Sequence, residues 1–149
     1  MDRVEHMKQR LNSLGFRREQ LDIRPGTADY LDEYMDMDIA LDTYPYPGGG
    51  TTCEALYMGL PVVTRYGQRH GSRFGYSLLM NMGLGELTAS SDEEYIRIAS
   101  ALASDSELLA GLHASIRTLM QRSPLMDGRG YVREVETAYE KIWKDWLNG

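Results

Sequence analysis

Two short apolar runs bounded by turn residues do most to limit the folds open to this chain. They read Asp-Ile-Ala-Leu-Asp at residues 38–42 and Pro-Val-Val-Thr at residues 61–64. Runs of this length suit strands that are buried on both faces of a parallel sheet. Residues 51–58 between them leave room for about two helical turns, and a helix is the usual crossover between parallel strands. The two runs therefore predict a β-α-β unit.

The residues before the first run predict a further alternation of helix and strand. A helix is expected at the start of the chain, where apolar side chains recur at helical spacing and Gly15 suits a C-cap. The stripe consists of Val4, Met7, Leu11 and Leu14. Residues 21–26 predict a short strand that runs into a turn, and residues 28–35 predict a short helix.

Beyond the second run the pattern becomes helical. One helix is expected over residues 73–82, and the Ser-x-x-Glu patterns at 91–94 and 104–107 are typical of capping boxes. Ser123-Pro124 predicts a break before a last long helix. That helix carries an apolar stripe, expected to pack in the core or against another domain, at Val132, Val135, Tyr139, Ile142 and Trp146. The predicted fold class is α/β, a Rossmann-like parallel sheet with flanking helices, followed by a helical tail at about residues 92–147.

Composition narrows the class of protein. The 149 residues suit a single domain, and the net charge of −6 argues against a nucleic-acid-binding protein. No apolar run approaches the roughly 20 residues that a membrane helix needs, so no membrane association is expected. The single cysteine, Cys53, fits a reducing, cytoplasmic location. The acidic residues show no metal-ligand spacing, so no metal is expected. No cofactor is predicted either.

The loop after residues 38–42 has the features of an anion-binding turn. It contains Gly49 and Gly50, and the predicted helix follows directly with Thr51 and Thr52. Glycines allow a ligand to approach the backbone, and the amides at a helix start favour a phosphate. Glu54, one turn further, has oxygens that can accept hydrogen bonds from the two hydroxyls of a ribose. The alternative is a purely structural turn, in which these threonines and Glu54 only cap the helix.

A second candidate loop follows residues 61–64. Residues 65–73 contain three arginines and a histidine but no acid, and they include His70 and Arg73. The carboxyl ends of neighbouring parallel strands lie at one edge of a sheet. This basic loop and the glycine loop, which follows residues 38–42, are therefore placed to hold two sides of a diphosphate. The alternative is a solvated basic loop. Cys53 lies near a helix start, where a lowered thiol pKa is expected, but no histidine follows nearby in sequence and a nucleophilic role is not predicted.

These residues resemble a known family. Residues 38–64 contain a Leu-Asp-Thr strand end, a Gly-Thr-Thr turn, an acidic residue one turn later and a Gly-x-Pro-x-Val-Thr strand. The resemblance continues through Gly67, His70, Ser72-Arg73 and Ser77, the Gly-Leu-Gly-Glu-Leu of residues 83–87, the break at residues 122–125 and residues 139–143. Together they resemble the O-GlcNAc transferase and SPINDLY family of protein O-glycosyltransferases, and they look nearest to the SPINDLY branch and its bacterial relatives.

The resemblance implies a fold and a set of site residues. Members are GT-B enzymes with two Rossmann-like domains, tandem helical repeats upstream and a nucleotide-sugar site in the second domain. This chain matches a truncated second domain over residues 1–149. The diphosphate would lie on Gly49, Gly50, Thr51 and Thr52, with the two threonines stabilising the leaving group. Glu54 would bind ribose, and the base would meet Arg24, Pro25 and Tyr30. No residue stands out as a catalytic base.

Three functions follow as expectations. The first is the donor-binding part of an enzyme that transfers N-acetylglucosamine from UDP-GlcNAc to Ser or Thr of proteins. The second is the same part of a GDP-fucose-dependent protein O-fucosyltransferase of SPINDLY type. The third is a non-catalytic nucleotide-binding or interaction module. Acceptor proteins would bind through N-terminal domains that this chain lacks, so the chain by itself is expected to bind nucleotide weakly and to transfer nothing.

Overall fold

The computed structural model describes residues 3–149, which divide into a first unit that ends at Glu33 and a second unit, Tyr34–Gly149. The first unit contains the predicted helix, α1, at Arg3–Ser13, and a 3-10 turn at Arg18–Gln20. Gly15 closes α1 with a φ of 98°, a backbone conformation that favours glycine.

The predicted strand at residues 21–26 is wrong. These residues have no regular secondary structure and pair with no strand anywhere in residues 3–149. A strand needs a hydrogen-bonded neighbour, and this segment has none among the described residues. Its Arg24 guanidinium pairs with the carboxylates of Asp22 and Glu33. The predicted helix at 28–35 is a turn at residues 28–31 followed by a 3-10 helix at Asp32–Asp36.

The second unit is built on the predicted parallel sheet. Strands β1 (Ala40–Leu41), β2 (Val62–Arg65) and β3 (Thr88–Ala89) pair in the order β1-β2-β3, all parallel. Helix α2 (Gly50–Tyr57) connects β1 to β2, and α3 (Phe74–Asn81) lies between β2 and β3. The first strand is shorter than predicted, although the Asp42 amide still donates to the Val63 carbonyl at 3.0 Å. The third strand was not predicted, because its two residues are too short a run to produce a pattern.

The core lies between the sheet and the helices that cover it. It contains the side chains of β2, the inner faces of α2 and α3, and apolar residues of the two helices that follow. Its most buried members are Leu56, Leu60, Val62, Val63, Leu79, Ala89 and Ile116. The β2 residues are buried on both sides of the sheet, which confirms the interpretation of residues 61–64 as an internal strand.

Three helices form the predicted helical tail. They are α4 (Asp92–Ser104), α5 (Ser106–Arg122) and α6 (Gly128–Asn148), and Ser123-Pro124 ends α5 as expected. Along α6, the aromatic side chains are exposed within this chain: Tyr139 by 69% and Trp146 by 70%. They are therefore not core residues here. Within residues 3–149, no helix combines the length and the apolar character that crossing a membrane requires.

The two predicted capping boxes have different outcomes. Ser91 is the N-cap of α4 and its hydroxyl accepts from the Glu94 amide at 3.1 Å, as predicted, but the Glu94 carboxylate accepts from Ser90 rather than Ser91. The second box is wrong. The cap of α5 is Asp105, whose carboxylate accepts from the Leu108 amide at 2.9 Å, because α4 continues through Ser104.

The N-cap of α5 should contribute measurably to the stability of the chain. Replacing Asp105 by Ala removes the cap of α5 and is expected to lower the free energy of unfolding by about 1 kcal/mol. Ser104→Ala is the matched control and is expected to change it by less than about 0.5 kcal/mol, because the Ser104 hydroxyl only donates within α4 to the Ser100 carbonyl. Urea denaturation of both variants measures the difference. A larger loss of stability for Ser104→Ala than for Asp105→Ala would show that Ser104 is the N-cap of α5, as the sequence predicts.

Candidate functional site

The glycine loop begins at Asp42, at the carboxyl end of β1. One carboxylate oxygen of Asp42 accepts from the amides of Gly48, at 2.7 Å, and Thr43, at 3.0 Å. The Thr43 hydroxyl donates to the Tyr46 carbonyl at 2.6 Å. These bonds fold residues 43–48 back over the strand end, so that α2 starts directly beside the edge of the sheet.

Both threonine hydroxyls at the start of α2 are directed at Gly48. A Cβ atom on Gly48 would lie 2.5 Å from the Thr52 hydroxyl oxygen and 2.6 Å from that of Thr51. By contrast, a Cβ on Gly49 or Gly50 would meet no atom within 4 Å, so the backbone there is open to approach. Because the first amides of a helix have no intrahelical acceptor, this turn offers donors from both backbone and hydroxyl groups.

Glu54 lies one turn into α2 and is paired with Tyr34. Burial raises the pKa of Tyr34, and the Glu54 charge and hydrogen bonding to Glu54 add to this effect. Tyr34 also lines a cavity of about 180 Å³ together with Asp42, Thr51 and Thr52. Glu54 itself follows the glycine turn, residues 48–52, near the middle of α2.

The expectation for Cys53 is wrong. Burial, and secondarily the charge of Glu54, raise the pKa of the Cys53 thiol instead of lowering it. Desolvation disfavours the charged thiolate, which raises the pKa of a buried thiol.

The basic loop after β2 packs against the first half of the glycine loop. The Arg65 guanidinium lies 3.9 Å from the ring centroid of Tyr44 and pairs with Asp92 at the start of α4. A cavity of about 610 Å³ lies between the two loops. It is lined by Tyr44, Pro45 and Tyr46 from one loop and by Gln68, Arg69, Gly71 and Ser72 from the other. The predicted adjacency of the two strand-end loops is thus present in the structure.

His70 and Arg73 line a different cavity, of about 590 Å³, on the α3 side of the basic loop. The Arg73 guanidinium lies 4.7 Å from the Tyr76 ring centroid and donates to the Gly67 carbonyl at 3.3 Å. The His70 ring meets Phe74 edge to face at 5.4 Å. Both side chains hold the basic loop onto α3, whereas Thr51 and Thr52 line the cavity beside Tyr34.

The three residues predicted to meet the base belong to the first unit. Arg24 uses its guanidinium for the two ion pairs described above, and its hydrogen bond holds the pKa of Asp22 below the ordinary value. Pro25 follows in the same irregular segment. Tyr30 lies in the turn at 28–31, where its side chain is 45% exposed and its carbonyl accepts from the Glu33 amide.

Sequence reasoning missed three residues of this site. The sequence predicts Asp42 only as the end of a strand and Tyr34 only as part of a short helix, and it predicts no role for Tyr44. Their roles depend on partners far away in sequence: Gly48 and Thr64 for Asp42, Arg65 for Tyr44 and Glu54 for Tyr34. A signal for Asp42 was present, since an acid directly after a buried apolar run seldom lacks a donor.

The comparison with known families decides the class. The sequence profile of glycosyl transferase family 41 matches residues 33–135. The chain belongs to this family. The family 41 match includes the glycine turn, Glu54, the basic loop and all three strands, and it confirms the family predicted from the sequence.

Relatives and a solved structure agree with this membership. A probable UDP-N-acetylglucosamine–peptide N-acetylglucosaminyltransferase SPINDLY from Arabidopsis thaliana is 42% identical over 142 residues, 93% of this chain. A UDP-N-acetylglucosamine–peptide N-acetylglucosaminyltransferase from Caenorhabditis elegans is 32% identical over 112 residues, 75% of this chain. A mutant O-GlcNAc transferase from Thermobaculum terrenum superposes with a TM-score of 0.85 at 38% identity over 95% of this chain, which confirms the predicted fold class.

The match covers only part of each of these proteins. This family 41 chain spans 16% of the Arabidopsis relative, 10% of the nematode relative and 28% of the Thermobaculum chain.

Proposed function

We propose that this chain is the donor-binding part of a protein O-glycosyltransferase that transfers N-acetylglucosamine from UDP-GlcNAc to serine or threonine hydroxyls. The observation that carries the proposal is the glycine turn, in which two threonine hydroxyls and the open backbone of Gly49 and Gly50 meet at the carboxyl end of a parallel strand. Such strand ends are where open α/β sheets bind ligands. The names of the relatives support UDP-GlcNAc as the donor.

Each part of the site has a separate role in this proposal. Thr51, Thr52 and the first amides of α2 bind the diphosphate and stabilise the negative charge that grows on it as it leaves. Glu54 accepts hydrogen bonds from the ribose hydroxyls. Arg24, Pro25 and Tyr30 are proposed to meet the base. The basic loop, which includes His70 and Arg73, is proposed to supply positive charge for the phosphates.

The chemical step is a displacement at the anomeric carbon of the sugar. An acceptor hydroxyl oxygen forms a bond to that carbon, while the bond from the carbon to the diphosphate oxygen breaks and its electron pair leaves with UDP. The chain contributes electrostatic stabilisation of the leaving group, and no metal is proposed. We assign the base that takes the hydroxyl proton to no residue of this chain.

The extent of the chain limits what it is expected to do. We propose that residues 1–149 are a truncated nucleotide-sugar-binding domain of a cytoplasmic enzyme, with acceptor proteins bound by parts of the longer protein. This is consistent with the small share of its relatives that the chain spans. The chain alone should therefore bind UDP and transfer no sugar.

An amide NMR titration with UDP tests the proposal. Shifts are expected at residues 48–54 and 65–73, because the diphosphate binds amides and hydroxyls there. Thr51→Val removes one hydroxyl donor and should weaken binding roughly fivefold to tenfold, whereas Thr118→Val, on an exposed position of α5, should leave it unchanged.

Three outcomes count against the proposal. Absence of any shift at millimolar UDP removes UDP binding. A clear preference for GDP over UDP in a parallel titration replaces the uridine donor by a guanosine donor. Sugar transfer by the isolated chain to an acceptor protein would show that the chain is not merely a donor-binding part.

A further inference from the structure

Asp42 connects the glycine turn to the interior of the sheet. One of its carboxylate oxygens accepts from the Gly48 and Thr43 amides, as described above. The other accepts from the Thr64 hydroxyl at 2.7 Å, and Thr64, on β2, is 1% exposed. The carboxylate thus receives three protein donors, which offset its charge at a place where a bare carboxylate would repel a phosphate.

Helix α3 closes over this carboxylate at Gly75. A Cβ atom on Gly75 would lie 2.5 Å from the second Asp42 oxygen and 2.5 Å from the Thr64 hydroxyl oxygen. Any side chain at this position would displace the pair, because real Cβ contacts are longer. Gly75 therefore leaves the space in which Asp42 and Thr64 meet.

Helix α4 contributes the third element. The Tyr95 hydroxyl donates to the backbone carbonyl of Asp42 at 2.9 Å. Burial, and secondarily the Asp42 charge, raise the pKa of Tyr95, so this hydroxyl stays a donor. We call Asp42, Gly48, Thr64, Gly75 and Tyr95 the Asp42 network.

We propose that Asp42 is a positioning residue for the donor diphosphate, acting through Gly48. By fixing the Gly48 amide, it sets the turn against which both threonine hydroxyls lie, so that they and the α2 amides meet the phosphates together. Asp42 itself does not touch the nucleotide. The inference rests on the proposed function. It adds that α3, through the space at Gly75, and α4, through the Tyr95 hydroxyl, help to set the geometry of the glycine turn.

Asparagine separates positioning from a direct role of the negative charge. In Asp42→Asn, the amide oxygen can still accept from Gly48 and Thr43. The amide nitrogen takes the place of the second oxygen, and the Thr64 hydroxyl can turn to accept from it. A positioning residue should therefore tolerate Asn but not Ala, whereas a base or a direct ligand should lose as much with Asn as with Ala.

The experiment measures UDP affinity and the exchange of the Gly48 amide in the 149-residue chain. Asp42→Ala and Gly75→Ala should each weaken UDP binding about tenfold or more, and Asp42→Asn should stay within about twofold. Tyr95→Phe, which keeps the ring and loses one hydrogen bond, should weaken it about twofold to tenfold. Without ligand, the Gly48 amide should exchange faster in Asp42→Ala than in Asp42→Asn.

Matched controls test whether the same kinds of substitution weaken UDP binding elsewhere in the chain. Gly111→Ala also replaces a helical glycine, but a Cβ there would meet no atom within 4 Å. Tyr131→Phe removes the hydroxyl of a tyrosine that is 67% exposed. Both should bind UDP as the unaltered chain does. If Asp42→Ala does not fold, Asp42→Asn, Gly75→Ala and Tyr95→Phe decide the question.

The failures are distinguishable. If the unaltered chain gives no response to UDP, the proposed function and this inference both fall. If the unaltered chain binds UDP and either Asp42→Ala binds equally well or Asp42→Asn loses as much as Asp42→Ala, the proposed function stands and the positioning role is overturned.

Discussion

Leu56→Ala is expected to lower the free energy of unfolding by about 2–5 kcal/mol. Leu56 lies on α2, is 0% exposed and packs in the core cluster with Ala55 and Leu60. Truncation removes buried methyl groups and leaves a cavity, because the surrounding strand and helices cannot fully collapse into it. A domain of this size has about 5–15 kcal/mol of stability in total, so the loss is a large share.

Urea denaturation measures this loss, and Leu108→Ala is the matched control. Leu108 is on α5 with 51% of its surface exposed, so the same change should cost less than about 1 kcal/mol there. Equal losses for the two variants would contradict the packing of α2 against the sheet. Because α2 also carries Thr51, Thr52 and Glu54, the stability of its inner face bears directly on the candidate site.

Glu54→Ala is expected to weaken the binding of UDP by about 1.5–3 kcal/mol. The reason is the loss of a charged acceptor for the ribose hydroxyls. In the structure Glu54 lies on α2 two residues after Thr52, and its charge is one of the causes that raise the pKa of Tyr34. Calorimetric titration of the variant with UDP gives the magnitude.

Two comparisons make this prediction specific to the ribose. Glu107→Ala removes an exposed glutamate from the first turn of α5 and should leave UDP affinity unchanged. The unaltered chain should prefer UDP over 2′-deoxy-UDP, and Glu54→Ala should lose most of that preference. Unchanged UDP affinity in Glu54→Ala would remove the ribose assignment, while leaving the diphosphate assignment to be judged by Thr51.

Much of the fold was predictable because it depends on local pattern. The β2 strand, α2, α3 and the break at Ser123 follow from apolar runs, glycines and a proline that act on their immediate neighbours. The errors fall where the outcome depends on a partner. Residues 21–26 have a strand-like sequence but no strand beside them, and Ser104 has a capping pattern but remains in the last turn of α4.

The candidate site shows the same division. Gly49, Gly50, Thr51, Thr52 and Glu54 could be selected from the sequence, because the glycine turn and the helix start are consecutive residues. The direction of the pKa shift of Cys53 could not be predicted, since it depends on how strongly the thiol is desolvated.

The sequence by itself determined the family, the order of helices and strands and the residues of the glycine turn, because each depends on motifs and periodicities within short stretches. Only the tertiary structure decided how that turn is held. The Thr64 hydroxyl comes from the next strand, the space at Gly75 from α3 and the Tyr95 hydroxyl from α4, 53 positions after Asp42 in the chain. A hydrogen bond requires its atoms to lie about 3 Å apart, and a close approach depends likewise on position in space. Folding, rather than the spacing of residues along the chain, determines both.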